Sequence, residues 1–85
     1  MRDLRSLRNI GKTVAAELEA AGVPDGEALA REGAVRAALR LKAAGFGVCR
    51  SKLAALEGAL RDIKWNLIPP ADRAALWRDF SSFAE

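Results

Sequence analysis

Histidine is missing from the 85 residues, and cysteine occurs once, at Cys49. Without histidine the chain lacks the commonest general base, the Ser-His and Cys-His nucleophile pairs and the usual zinc ligand. A lone cysteine rules out an internal disulfide and any cysteine cluster for a metal. Tyrosine is absent, β-branched residues are few, and no apolar run approaches the roughly 18 residues that span a bilayer. The amino-terminal stretch MRDLRSLRN is charged and has no apolar core segment, so it is not expected to act as a signal peptide. These gaps point away from an enzyme, a cofactor, a metal centre or a membrane protein. The expectation is a cytoplasmic binding domain.

What is present is a helical composition. Ala and Leu dominate, 51% of residues are hydrophobic and 29% are charged. A chain of this length forms one domain, residues 1–85, and buries roughly 60% or slightly more of its unfolded surface. The net charge of +3 is unevenly spread. Residues 1–12 carry four bases and one acid. Residues 13–33 set Glu17, Glu19, Asp25, Glu27 and Glu32 against Arg31, and residues 34–52 hold Arg36, Arg40, Lys42, Arg50 and Lys52 with no acid. Two basic segments separated by an acidic one imply a polarised surface if folding joins the basic segments.

The periodicity predicts an all-α fold, a compact bundle of five to six short helices. Leu4 and Leu7 mark a first short helix ending near Asn9, a residue that tolerates the left-handed conformation. From Lys12, the positions Val14, Ala15, Leu18 and Ala21 keep the 3.6 period until Gly22. Asp25 is placed to cap a third helix carrying Ala28 and Leu29, which Gly33 ends. A fourth begins near Ala34, with Val35, Ala38, Leu39 and Leu41 inward, and stops at AAGFG. Ser51 is the expected cap of the fifth, whose inner face is Leu53, Leu56, Leu60 and Ile63. Gly58 lies inside it, a costly position that implies a close helix crossing. KWNLIPP reads as a loop. Pro70 and Asp72 suit the first turn of a last helix with an apolar stripe of Leu76, Trp77, Phe80 and Phe83.

The segment LRNIGKTVAAEL, residues 7–18, resembles the helix-hairpin-helix motif, in which a Gly-apolar-Gly turn is followed by three residues and then an Ala. Asn9, Ile10 and Gly11 occupy the turn, Ala15 takes the Ala position, and Leu18 the closing apolar position. The resemblance implies a phosphate held by the amides of Gly11 and Thr13, with charge from Lys12 and with Ile10 pinning the hairpin to the core. The start of a helix exposes unpaired N–H groups and partial positive charge, which suits such a contact. It would be sequence-independent and salt-sensitive. Asn9 stands where the motif has its first glycine. The other reading of the same residues is a plain tight turn between helices.

Over nearly all of residues 4–77 the sequence resembles the C-terminal domain of the TfoX (Sxy) family, bacterial regulators of natural competence. The resemblance rests on LRNIG, AAELEAAGV, LAREGAVRAALRLKAAG and LAALEGALRDIKWNLIPPADRAAL. It implies a SAM-like, helix-hairpin-helix type of fold and a regulatory role in or beside transcription. Two-domain members carry an N-terminal domain ahead of this one, and the expectation here is a stand-alone C-terminal domain. Its partner is then duplex DNA, through the phosphate backbone, or a transcription-regulator protein. The expected nucleic-acid-binding residues are Arg5, Arg8, Asn9, Gly11, Lys12, Thr13, Arg36 and Arg40, the last two sharing a helix face four residues apart. A competing expectation is a SAM-like protein-interaction domain that self-associates, the acidic stretch 17–32 of one copy meeting the basic stretch 34–52 of another. Trp65 and Trp77 are expected to plug the core, with stacking on a base or a partner as the alternative. Cys49 is expected to be a small core or boundary residue.

Overall fold

The computed structural model describes residues 3–83. Among them there are four α-helices, two 3-10 turns and no strand. The helices are α1 Lys12–Ala20, α2 Gly26–Ala43, α3 Arg50–Arg61 and α4 Pro70–Phe83; the 3-10 turns are Leu4–Ser6 and Trp65–Leu67. The fold is therefore all-α with fewer full helices than the five or six expected. Leu4 and Leu7 form no α-helix, because three residues between Asp3 and Leu7 leave room only for a 3-10 turn. The third and fourth expected helices abut within the span of α2 and meet at Gly33, where the sequence places the end of one and the start of the other. Gly33 breaks that helix locally, with φ 80° and ψ 166°, a conformation that only glycine adopts readily.

The helix starts follow local chemistry. Asp25 caps α2 by accepting from the Ala28 N–H at 2.8 Å. α3 begins earlier than Ser51 would place it: Cys49 is the cap, extended at φ −106° and ψ 172°, and its Sγ accepts from the Lys52 N–H at 3.4 Å. Cys49 is accordingly exposed, not a core residue. Ile63 lies beyond the end of α3, which closes at Asp62 with φ 58°.

The core holds Leu4, Leu18, Leu29, Leu41, Leu53 and Leu56, all fully buried, with Val23 and Ile68. Small residues set the closest packing on α2, where Ala34, Ala37 and Ala38 are buried while Val35 and Leu39 are only half-buried. Burying a Leu of this kind contributes about 1.5–3 kcal/mol, so a single layer of such residues holds the bundle. The α4 stripe is only partly absorbed. Phe80 is buried against Trp77, ring centroids 5.3 Å apart, whereas Phe83 is 72% exposed. Trp65 does not plug the core: it is 39% exposed, because the 3-10 turn carries it to the rim and Ile68 takes the buried place.

Candidate functional site

The turn at residues 7–11 is built around Asn9, which sits at φ 72°. Ile10 is buried and anchors the turn, as Leu7 does on the other side. The Asn9 side chain is consumed by structure. Its Nδ2 donates to the carbonyls of Ile63 at 2.9 Å and Ala55 at 3.4 Å, and its Oδ1 accepts from the Trp65 N–H at 3.2 Å. The turn is thus stitched to the end of α3 and to the following 3-10 turn. Gly58 explains the fit: a methyl group there would press into Asn9 Nδ2 and come within 2.7 Å of the Ile63 carbonyl oxygen. The close approach that Gly58 permits is to this turn, not to a crossing helix.

Directly after the turn, Gly11 is the N-cap of α1 and contributes no side-chain cap. The first intrahelical bond is from the Ala15 N–H to the Gly11 carbonyl at 3.0 Å. The earlier amides of the helix therefore look outward, with the positive end of the dipole behind them. Gly11, Lys12 and Thr13 are exposed, and a Cβ on Gly11 would meet nothing within 4 Å, so the approach is open. Among the described residues Lys12 makes no ion pair. Below the turn a shallow groove of about 570 Å³ runs between Asn9, Val14, Val48, Lys52, Ala55 and Trp65. Lys52 at its edge pairs with Glu17 of α1 and donates to the Gly47 carbonyl at 2.8 Å.

The remaining expected contacts are differently placed. Arg5, in the first 3-10 turn, is exposed, and its amide donates to Asp3 Oδ1 at 3.2 Å. Arg8 is exposed and pairs with Asp62 at 3.3 Å. Arg40 is tied to Glu32, and its guanidinium lies against Gly22, past the C-terminal end of α1. Lys12 starts that same helix, so its nine residues, roughly 14 Å at 1.5 Å each, separate the two bases. Arg36 is on α2 with Arg40, exposed, and adds to the positive field at Glu32. Arg40, through its hydrogen bond, holds the Glu32 carboxyl below the ordinary value of 4.5, with Arg36 and Arg31 acting in the same direction. Hence the structure gathers Asn9, Gly11, Lys12 and Thr13 in one place and sets Arg40 at the other end of α1.

Sequence reading missed the stitch at Asn9. The departure from glycine at that position was the available signal, since an amide can bond where glycine cannot.

The family model for the TfoX C-terminal domain matches residues 1–80 of the chain. The fold is also similar to two crystal structures from Listeria monocytogenes, each 35% identical with a TM-score of 0.86. One is an uncharacterized protein in a triclinic form; the match covers 94% of this chain and 91% of that one. The other is a protein of unknown function in a tetragonal form, with 96% and 100% covered. No curated protein matches. No helix among the described residues is long and apolar enough to cross a membrane.

Proposed function

We propose that this chain, which belongs to the TfoX C-terminal domain family, is a non-catalytic regulatory binding module of the SAM-like, helix-hairpin-helix type that grips the phosphate backbone of duplex DNA at the start of α1. The observation that carries this reading is the uncapped, exposed helix start at Gly11, Lys12 and Thr13, set on a turn made rigid by Asn9. A rigid turn keeps the amides pointed at one spot, and preorganised donors lose little on binding. Lys12 supplies a point charge with no acid to neutralise it. The contact reads backbone and not bases, so it adds weak affinity to any duplex or steadies a complex with a DNA-bound regulator.

The self-association alternative draws less support. Its driving force was charge pairing between stretches 17–32 and 34–52 of neighbouring copies, yet Glu17 is paired with Lys52 and Glu32 with Arg40 within one chain. Those four charges are spent internally.

Fluorescence anisotropy of a labelled random-sequence duplex tests the proposal, with the native chain and Lys12→Glu compared at two salt concentrations. The native chain is expected to bind at low salt, to weaken as salt rises, and to lose most of its affinity in the variant. No binding at low salt, or equal binding by both proteins, overturns it.

A further inference from the structure

Beside the hairpin groove, and sharing Ser51 and Trp65 with it, lies a second cleft, smaller and basic. It has a volume of about 230 Å³ and is lined by Arg50, Ser51, Trp65, Pro70, Arg73 and Ala74. Pockets for drug-sized ligands run about 300–1,000 Å³, so this one suits a single compact group. Its two arginines face one cleft with no carboxylate among the lining residues. Arg8, Arg40 and Arg61 each pair with a carboxylate, and Asp72, the acid next to Arg73, is engaged by Arg61 at 2.9 Å. Among the described residues neither Arg50 nor Arg73 has an acidic partner. Arg50 lies over the Trp77 ring, 4.8 Å from its centroid, which holds the guanidinium in place without neutralising it. Arg73 Nε is shut off from solvent and has no hydrogen-bond partner. A buried donor on a charged group left unpaired is costly, which marks a place where an acceptor belongs.

We propose that the cleft between the starts of α3 and α4 is a phosphate-binding site, in which Arg50 and Arg73 clamp the oxygens, Ser51 donates from its hydroxyl, and Trp65 forms the apolar wall. The ligand class is a phosphate ester. Guanidinium forks match the oxygens of a tetrahedral oxyanion through charge-assisted bonds. The site does not depend on the hairpin contact, because none of its lining residues belongs to the hairpin. Its phosphate comes either from a nucleic-acid backbone or from a small phosphorylated molecule.

Nitrogen-15 NMR of the arginine side chains decides the matter. Inorganic phosphate is titrated into the full chain at constant ionic strength, with chloride as the matched control. The Nε–H signals of Arg50 and Arg73 and the Trp65 indole signal are expected to move saturably, with a Kd on the order of millimolar. Arg50→Gln, at an exposed position, is expected to weaken the binding at least tenfold with its amide spectrum otherwise intact, and Arg73→Gln to abolish it. Movement that grows linearly, that chloride reproduces, or that persists in Arg50→Gln overturns the proposal. Two further titrations into Lys12→Glu, which lacks the hairpin charge, identify the source: a nucleoside monophosphate and a short duplex. Whichever moves the Arg73 signal at lower concentration is the class the cleft serves. Silence from phosphate, monophosphate and duplex alike removes the site, whatever the hairpin does.

Discussion

The backbone N–H of Trp65 donates to Oδ1 of Asn9 across 3.2 Å, although 56 residues separate them in the chain. With the two bonds from Asn9 Nδ2 to Ile63 and Ala55, one half-buried amide closes three backbone positions at once. The hairpin that begins the domain is thereby locked to the segment that leads into α4. A motif glycine at the same place offers the left-handed backbone and none of the bonds.

Replacing Asn9 by glycine therefore costs stability even though it restores the motif. Each lost bond is worth about 0.5–1.5 kcal/mol, partly offset by easier backbone geometry, for a net loss of about 1–3 kcal/mol. Asn9→Ala loses about 1 kcal/mol more, because alanine at a positive φ is strained and makes no bond. Thermal unfolding checks the order native, Asn9→Gly, Asn9→Ala, with about 4–8 °C per kcal/mol for a domain of this size. A melting point for Asn9→Gly at or above the native one contradicts the stitch.

Gly58→Ala is expected to destabilise despite a gain of about 1 kcal/mol in helix propensity. The added methyl would press on Asn9 Nδ2 and on the Ile63 carbonyl, which is backbone and cannot swing away. Overpacking of this kind costs about 1–3 kcal/mol or more. Because the clash is shared with Asn9, the double variant Asn9→Gly/Gly58→Ala is expected to lose at least about 0.5 kcal/mol less than the sum of the two singles. Chemical denaturation of all four proteins measures the coupling; strict additivity contradicts it.

Gly11→Asp separates stability from binding. A carboxylate at the N-cap satisfies outward amides of α1 and complements the helix dipole, adding a few tenths to about 1 kcal/mol. The same carboxylate occupies the place proposed for a phosphate. Expected together are a higher melting point and a loss of most duplex affinity in the anisotropy titration. A variant that is more stable and binds DNA unchanged places the contact elsewhere.

The acid limb of stability carries the signature of Glu32. Its carboxyl titrates below the ordinary 4.5 in the folded chain, chiefly through its hydrogen bond to Arg40. A depressed folded-state pKa means the contribution is present above the unfolded value and disappears as pH falls through the folded one. Carbon-13 NMR of the side-chain carboxyl is expected to show Glu32 titrating below 4.5 in the native chain and returning toward that value in Arg40→Gln. The stability difference between the two proteins should shrink as pH drops below about 4.5. The pair is exposed to solvent on the Arg40 side, so salt should weaken it.

Several features are legible in the sequence. The 3.6-residue spacing of Leu18, Leu53 and Leu56 marked them as core, and burial of one helix face is what that spacing produces. Asp25 as a cap, Gly33 as a break and Pro70 as a helix start are local effects, decided within a few residues by backbone geometry and short-range bonds. Asn9 in a left-handed turn was legible for the same reason. Trp65, Phe83 and Cys49 were harder. Their exposure depends on which side chains the packing turns inward, and Ile68, not Trp65, holds the buried place.

By itself the sequence determined an all-helical domain, the family it belongs to, and a basic, uncapped helix start at Gly11 and Lys12. The helical class and the helix start follow from composition, periodicity and the chemistry of adjacent residues, and the family from the resemblance of the whole sequence to it. Only the tertiary structure decided that Asn9 is a lock, that Arg8 and Arg40 are neutralised by Asp62 and Glu32, and that Arg50 and Arg73 are left without an acid. Hydrogen bonds and ion pairs act over a few ångströms, so which groups meet is set by how the helices pack and not by how far apart they stand along the chain.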